Sequence, residues 1–408
     1  MADAVLAALR AVADAVPADP GVIPAGAGYV ATPASVESAA AVLRVAAEQG
    51  LAVTVRGAGT KQDWGYPPRR LDLIVDTGRL TGVVEHAAGD LIVVVRAGTP
   101  LGELNEELAP AQQQFALDAP LAGATVGGTV AVNASGPRRL RYGTVRDLLI
   151  GVTVIRPDGV VARAGGKVVK NVAGYDLGKL MTGSYGTLGM VAECVFRLHP
   201  LPEKASVVSS YVDSPAEAGR LVAAVLDSQA VPSAVELDAP AGGGIEVAVL
   251  VEGVPAGVEQ RVATVRRMVG GSVSETLPGW WSAYPWSAGD TGLKLTAALS
   301  RVPAVLSVLS ALSASAGLAV RGSAGTGVLY AGLPASVGPE TVAQSIDELR
   351  AATREAGGHT VVLTAPAAVR ERVDLWGPVD GLDLMRRIKQ QFDPDSRFAP
   401  GRFVGGIC

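Results

Sequence analysis

An apolar run, Leu51-Ala52-Val53-Thr54-Val55, empties directly into Arg56-Gly57-Ala58-Gly59-Thr60-Lys61. A strand that ends in such a turn constrains the fold, because glycine permits positive φ and close backbone approach. Several N–H groups can then converge on one anion, with Lys61 or Arg56 supplying charge, and a diphosphate-bearing nucleotide cofactor is the natural guest. Alone, the same loop is also an ordinary turn. Two further clusters alter the balance: Gly123-Ala124-Thr125-Val126-Gly127-Gly128-Thr129-Val130-Ala131-Val132-Asn133-Ala134-Ser135-Gly136, and Gly183-Ser184-Tyr185-Gly186-Thr187-Leu188-Gly189. Three loops of this kind in one stretch are hard to explain as turns. Neither a Rossmann Gly-x-Gly-x-x-Gly nor a Walker loop occurs, which counts against an NAD or ATP enzyme.

Of the 408 residues, 49% are apolar and 18% charged, so the chain can bury large cores and form two or more subdomains. A net charge of −4 with no long basic run points away from nucleic acid and anionic membrane surfaces and leaves small molecules and proteins as partners. The two cysteines, Cys194 and Cys408, cannot build a secreted disulfide framework or hold an iron–sulfur cluster. Any cluster must belong to a partner.

At the amino terminus Val5, Leu6, Leu9, Val12 and Val16 recur at helical spacing, which predicts an amphipathic helix in place of a secretory core. The uncharged stretch Val302 to Val320 is about long enough to cross a bilayer. Its serines, Pro303, the stripe Val305, Leu306, Leu309 and Leu312, and a carboxy-terminal cap at Gly317 predict a packed helix instead, followed by a strand. The expected address is the cytoplasm, with no direct membrane span.

Residues 30 to 80 read as a small α/β unit: helix Val36 to Gln49, strand Leu51 to Val55, the first loop, strand Leu73 to Asp76. From Gly82 to Arg197 short β-branched runs (Leu91 to Val95, Gly151 to Arg156, Met190 to Leu198) alternate with glycine loops. After His199-Pro200-Leu201-Pro202 the pattern is strand (Ser206 to Val212), helix (Pro215 to Ser228), two strands (Ala234 to Asp238, Ile245 to Val251) and helix (Ala256 to Val269). It then recurs: strand Leu293 to Ser300, helix Pro303 to Ala316, strands Leu318 to Arg321 and Gly327 to Leu333, helix Pro339 to Ala356, strand Thr360 to Thr364. Two such units sharing an antiparallel sheet with helices on one face is the economical architecture, suited to substrate or partner binding. The linker Leu277 to Trp286 holds three of the five tryptophans, which either line a site or fill a small core.

Taken together, the loops at 56–61, 127–134 and 183–189 resemble the flavoprotein family that carries the FAD-binding domain of vanillyl-alcohol oxidase and p-cresol methylhydroxylase. The resemblance spans roughly Tyr29 to Leu201, plus the tail Lys389-Gln390-Gln391-Phe392-Asp393-Pro394 and Arg397 to Arg402. The fold class it implies is α+β: a two-lobed FAD-binding domain of the p-cresol methylhydroxylase type and a duplicated, ferredoxin-like antiparallel-sheet cap. The expected domains are a lead-in helix (1–28), the FAD-binding domain (29–201, lobes 29–80 and 81–201), the α+β substrate or partner domain (202–366) and a carboxy-terminal segment returning to the FAD site (367–408). The cofactor-binding residues carried over are Arg56, Gly57, Ala58, Gly59, Thr60, Lys61, Thr125, Gly127, Gly128, Asn133, Gly136, Asp147, Gly183, Gly186, Thr187, Leu188, Gly189, Lys389 and Arg402.

Within that family, Gly136-Pro137-Arg138-Arg139, the run Gly143 to Gly151, and Lys167-Val168-Val169-Lys170-Asn171-Val172-Ala173-Gly174-Tyr175-Asp176-Leu177 are most similar to the E-type FAD-binding subunits of glycolate oxidase. That resemblance implies oxidation of glycolate, or a related small 2-hydroxyacid, inside a hetero-oligomer. A second flavin subunit (D-type) and an iron–sulfur subunit (F-type) would carry electrons towards a quinone, with any membrane association coming through those partners. Two rival readings are a free-standing FAD-dependent 2-hydroxyacid dehydrogenase and a non-catalytic assembly or electron-relay subunit. The first loop lacks the histidine that tethers flavin in covalent members, so FAD should be noncovalent. The histidine pair that binds a metal in related 2-hydroxyacid dehydrogenases, and the Glu-His pair that takes the hydroxyl proton, are absent, so no metal site is expected. The catalytic candidates are Arg138 and Arg139, whose guanidinium forks suit a carboxylate, Tyr175, which either orients the cofactor or sits in a helix-capping turn, and His359. His86 reads as a solvated turn residue and His199 as structural.

Overall fold

The computed structural model describes residues 2–19, 28–167 and 176–407 and divides into two compact units. The first comprises Met1–Ala134, Thr144–Leu201 and Val379–Cys408; the second comprises Ser135–Gly143 and Pro202–Pro378. The second unit thus takes the Gly-Pro-Arg-Arg turn out of the span expected for the first. The reason is local: Arg138 and Tyr142 both reach the buried Glu252, at 3.3 Å and 3.2 Å.

In the first unit, helix Val36–Glu48 begins where Ser35 Oγ accepts the Ser38 N–H. It buries Val36, Ala39, Ala40, Leu43 and Ala46 in one core with Leu73 and Val75. Strand Val53–Arg56 pairs in parallel with Leu73–Asp76, which pairs in parallel with Tyr29–Thr32. The helical spacing at the amino terminus is only half realised. Helix Ala2–Arg10 stops early, and Val16 lies in strand Asp14–Pro17, antiparallel to Tyr29–Thr32, because pairing at that sheet edge outweighs a weak local period.

A five-stranded antiparallel sheet follows, in the order Val83–Ala87, Ile92–Arg96, Met190–Arg197, Leu149–Ile155, Val161–Gly165. Its core holds Val93, Val95, Val152, Val154, Cys194 and Phe196. Burial raises the Cys194 thiol far above its ordinary range. The second glycine cluster is not a loop throughout: residues Val126–Val132 form a short helix that packs on strand Met190–Arg197. His86 belongs to strand Val83–Ala87 and lies 2.9 Å from Gln113 Oε1, so it is not a turn residue. The tail closes this unit. After helix Leu382–Phe392, the Val53 N–H donates to the Arg397 carbonyl at 2.7 Å and the Ala399 N–H to the Val53 carbonyl at 2.8 Å, extending the parallel sheet.

The second unit is an eight-stranded sheet whose pairings are all antiparallel: Ser272–Ser274, Lys204–Val212, Ile245–Gly253, Ala234–Ala239, Ala319–Ser323, Val328–Leu333, Thr291–Thr296, Thr360–Thr364. The two repeats join at the sheet centre, where Leu237 faces Gly322 and Asp238 faces Arg321. Strand Thr291–Thr296 ends sooner than its sequence predicts and gives way to a helical turn at Leu299–Arg301. Helix Val302–Ala316 buries Val305, Leu306, Leu309 and Leu312 and packs on helices Pro215–Leu226 and Pro339–Glu355. With the turn before it, it is long and apolar enough to cross a membrane by length and composition.

The sheet's two faces differ. Val208, Leu237, Val249 and Leu293 are fully buried and alternate with residues of the opposite face. On that opposite face Trp281 packs with Val207, Ala234, Ala248 and Leu250 in a small apolar cluster, while Trp280 Nε1 donates to Glu246 at 2.7 Å. Part of the tryptophan-rich linker therefore fills a small core. Trp286 lies on the facing pair Gly292 and Gly332, and a Cβ on Gly292 would come within 2.5 Å of its ring. Only glycine leaves room there.

Candidate functional site

A cavity of about 760 Å³, part of it open to solvent, lies in the first unit where the first two glycine segments and the third loop meet. Strand Val53–Arg56 delivers the first loop, and close backbone approach brings the second segment against it. A Cβ on Gly57 would lie 2.2 Å from Thr125 Oγ1, and one on Gly127 would lie 2.7 Å from the Ala97 methyl. Thr125 in turn caps helix Val126–Val132, its Oγ1 accepting the Gly128 N–H at 3.3 Å. Tyr185, in the third loop, takes a left-handed φ of 55°, a conformation that costs energy in a non-glycine residue and clusters at functional sites.

The cavity's charge is cationic. Lys61 has Thr60 Oγ1 as its hydrogen-bond partner at 3.1 Å, and burial pulls its ammonium down to about 8. Arg402 joins the tail to the first loop through the Gln62 carbonyl, Gln62 Oε1 at 3.2 Å and the Trp64 carbonyl at 3.4 Å, and burial lowers it as well. The backbone N–H groups of Ala58, Gly59 and Thr60 donate to nothing among the described residues. Unused donors beside two cations fit a diphosphate, whereas Val55, Ala131, Val132 and Val191 supply apolar wall for a flat ring system.

Of the cofactor residues expected from sequence, the cavity gathers Gly57, Ala58, Gly59, Thr60, Lys61, Thr125, Gly127, Gly128, Gly186, Gly189 and Arg402. The others stand elsewhere. Arg56 is tied to Asp76 at 2.7 Å. Asn133 is the left-handed cap of helix Val126–Val132, and Gly136 lies in the second unit. Asp147 forms a capping box with Thr144; burial works against its ionisation, but the Thr144 hydrogen bonds outweigh it and hold its carboxyl below the usual range. Gly183, Thr187, Leu188 and Lys389 line a second, mostly apolar cavity of about 660 Å³ between the third loop and helix Leu382–Phe392. Lys389 is spent structurally: its ammonium meets Asp393 at 2.5 Å and the carbonyls of Thr187 and Phe398 at 2.8 and 3.0 Å. Sequence reasoning missed Gln62, Thr77, Ser184 and Tyr185. Ser184 and Tyr185 stood inside a motif already singled out, whereas nothing local marks Thr77.

Among the catalytic candidates, Arg138 pairs with Glu252, and Arg139 Nη2 donates to the Tyr330 hydroxyl at 3.2 Å, both within the second unit. His359 sits on an exposed turn of that unit, its backbone bonded to Thr296. Tyr175 lies outside the described residues. Among the described residues no cluster of three or more His, Cys, Asp or Glu groups is placed to hold a metal.

Residues 27–165 match the FAD binding domain family. An FAD-linked oxidoreductase of Mycobacterium tuberculosis (strain H37Rv) is 30% identical over 92% of the chain and 91% of that protein. The glycolate oxidase subunit GlcE of Escherichia coli (strain K12) is 40% identical over 37% of the chain, spanning 43% of GlcE. Among solved structures p-cresol methylhydroxylase superposes with a TM-score of 0.76 at 16% identity, covering 98% of this chain and 96% of the other, a likeness of fold. FAD is the cofactor, and the first cavity offers the donors, cations and apolar wall that it requires.

Proposed function

Because the chain belongs to the FAD-linked oxidoreductases, we propose that it is the FAD-binding subunit of a glycolate oxidase complex, oxidising glycolate to glyoxylate with electrons leaving through flavin to an iron–sulfur partner. The observation that carries this reading is the 40% identity to GlcE. The chain's two cysteines, one of them the buried Cys194, agree with a cluster housed on another protein of the complex.

Bound FAD supplies an acceptor for a hydride equivalent that can release its electrons singly. The protein's part is to bind and orient. In this reading Ala58, Gly59 and Thr60 present backbone N–H groups and Lys61 a cation to the diphosphate, while Gly57 lets the first loop lie against Thr125. Arg402 fastens the tail to the first loop. Among the described residues the cavity lining contains no histidine or cysteine, which supports noncovalent attachment.

A free-standing FAD-dependent 2-hydroxyacid dehydrogenase is the rival reading, and the donor-rich cluster of Arg139, Lys294 and Tyr330 in the second unit stands on its side. The two part in one experiment. Affinity purification of the tagged chain from its native host should bring down a second flavoprotein and an iron–sulfur protein, with glycolate-dependent dye reduction in the complex and none in the chain alone. Turnover by the isolated chain would favour the rival.

A further inference from the structure

On the face of the second unit's sheet that carries Trp281, three facing strands place Arg321, Tyr330 and Lys294 in one row, with Tyr330 opposite Lys294 in register. Arg321 is neutralised by Asp238 at 2.7 Å. The other end of the row is not balanced in this way. Lys294, half-buried, makes no hydrogen bond or ion pair among the described residues. Arg139 gives Nε to the Gly136 carbonyl at 3.0 Å and Nη2 to the Tyr330 hydroxyl at 3.2 Å, and its Nη1 stays unused among them. Since the Tyr330 oxygen accepts from Arg139, its own proton is also left to give.

The phenol is held in place. Tyr284 meets the Tyr330 ring edge-on at 4.8 Å, and Trp286, stacked on Tyr284 at 4.4 Å, meets it at 6.1 Å. The glycine pair beneath Trp286 is what admits this bracing. A polar group set among aromatic rings loses free energy for every hydrogen bond it leaves unmade there.

We propose that Arg139, Lys294 and Tyr330 form an anion site for the carboxylate of a small 2-hydroxyacid. All three side chains keep a donor that no acceptor among the described residues takes up: Lys294 its ammonium, Arg139 its Nη1 and Tyr330 its hydroxyl proton. Its electrostatics agree. Burial pulls the Lys294 ammonium down, Tyr330 works against this and Arg139 adds to it, and the ammonium ends below its ordinary range. Burial would raise the Tyr330 phenol, yet Arg139 and Lys294 outweigh it and Glu236, and the phenol falls below its ordinary range. An anion entering the row would relieve both cations. Two cations against the charge of Glu236 leave room for one negative charge, which selects a monocarboxylate over a phosphate dianion. The inference rests on the 2-hydroxyacid reading for the identity of its ligand, and on the second unit alone for its geometry.

The test is calorimetric titration of the FAD-loaded protein with glycolate under anaerobic conditions in the absence of acceptor, and with inorganic phosphate. Glycolate should bind, and Lys294→Met should weaken it at least tenfold and Tyr330→Phe several-fold, with the FAD content of both variants unchanged. In the unaltered protein, glycolate should also slow acylation of Lys294 by an amine reagent, followed by peptide mass spectrometry, which needs no variant to fold. Unchanged affinity in both variants, no protection of Lys294, or phosphate binding as tightly as glycolate would overturn the assignment. Loss of FAD binding in the unaltered protein would instead overturn the cofactor reading and leave the titration to judge the anion site.

Discussion

Lys389 Nζ stands 2.5 Å from Asp393 Oδ2 with both side chains buried, and the pair ties three segments of the first unit together. The ammonium also binds the Thr187 carbonyl in the third loop, while the Asp393 carboxylate accepts the Arg397 and Phe398 N–H groups as the tail enters the parallel sheet. Every donor of one group and both oxygens of the other are used, the condition under which a buried ion pair is tolerated.

Removing one partner should therefore be severe. Lys389→Met is expected to cost about 3–5 kcal/mol, because it leaves a carboxylate buried with its charge uncompensated. Denaturant unfolding of the first unit, followed by flavin fluorescence, measures this. A loss below about 1 kcal/mol would show that the pair is dispensable.

Gly57→Ala should release FAD. The new methyl would lie 2.2 Å from Thr125 Oγ1, so one of the two segments must withdraw from the cavity. Retained flavin after gel filtration should fall at least tenfold, and the double variant with Thr125→Ala should recover part of it.

The pH dependence of cofactor affinity follows from Lys61. Burial lowers its ammonium from 10.5 to about 8, so the folded, cofactor-free protein loses this charge as pH rises through 8. A bound diphosphate holds the proton on, so FAD affinity should decline above pH 8. Lys61→Met should bind more weakly and flatten that decline. In the cofactor-free protein the sign for stability is opposite: the unfolded chain binds more protons between about 8 and 10.5, and stability should rise with pH across that window.

Gly292→Ala should displace Trp286 from its place over the glycine pair, since the added carbon would fall 2.5 Å from the indole. Tryptophan emission should shift and the second unit should lose about 1–3 kcal/mol, the usual range for overpacking. Unchanged emission would show that Trp286 does not brace the Tyr330 ring.

Much of this fold was legible in advance where local pattern and tertiary packing agree. The repeat of strand, helix, two strands and helix in the second unit showed in the alternation of apolar periods, and the stripe Val305, Leu306, Leu309, Leu312 is buried as its spacing implies. The cavity's first loop was legible because glycines there serve backbone approach. What sequence could not show was pairing between distant groups. Lys389, expected at the cofactor, is held instead by Asp393 one helical turn on and by the Thr187 carbonyl, and 202 positions separate it from the latter. Arg56 is likewise taken by Asp76. In the cluster of Arg139, Lys294 and Tyr330, sheet register sets Lys294 opposite Tyr330 and a hydrogen bond brings in Arg139 from 191 positions away, and local spacing is blind to both.

The most direct measurement is the visible spectrum of the purified chain before and after acid precipitation, with anaerobic glycolate added to the chain alone and to its reconstituted complex. The account predicts a flavin spectrum, FAD recovered in full in the acid supernatant, and bleaching by glycolate once the partner proteins are present. A chain that binds no FAD when purified or when incubated with it, or a flavin that stays with the precipitate, would contradict it.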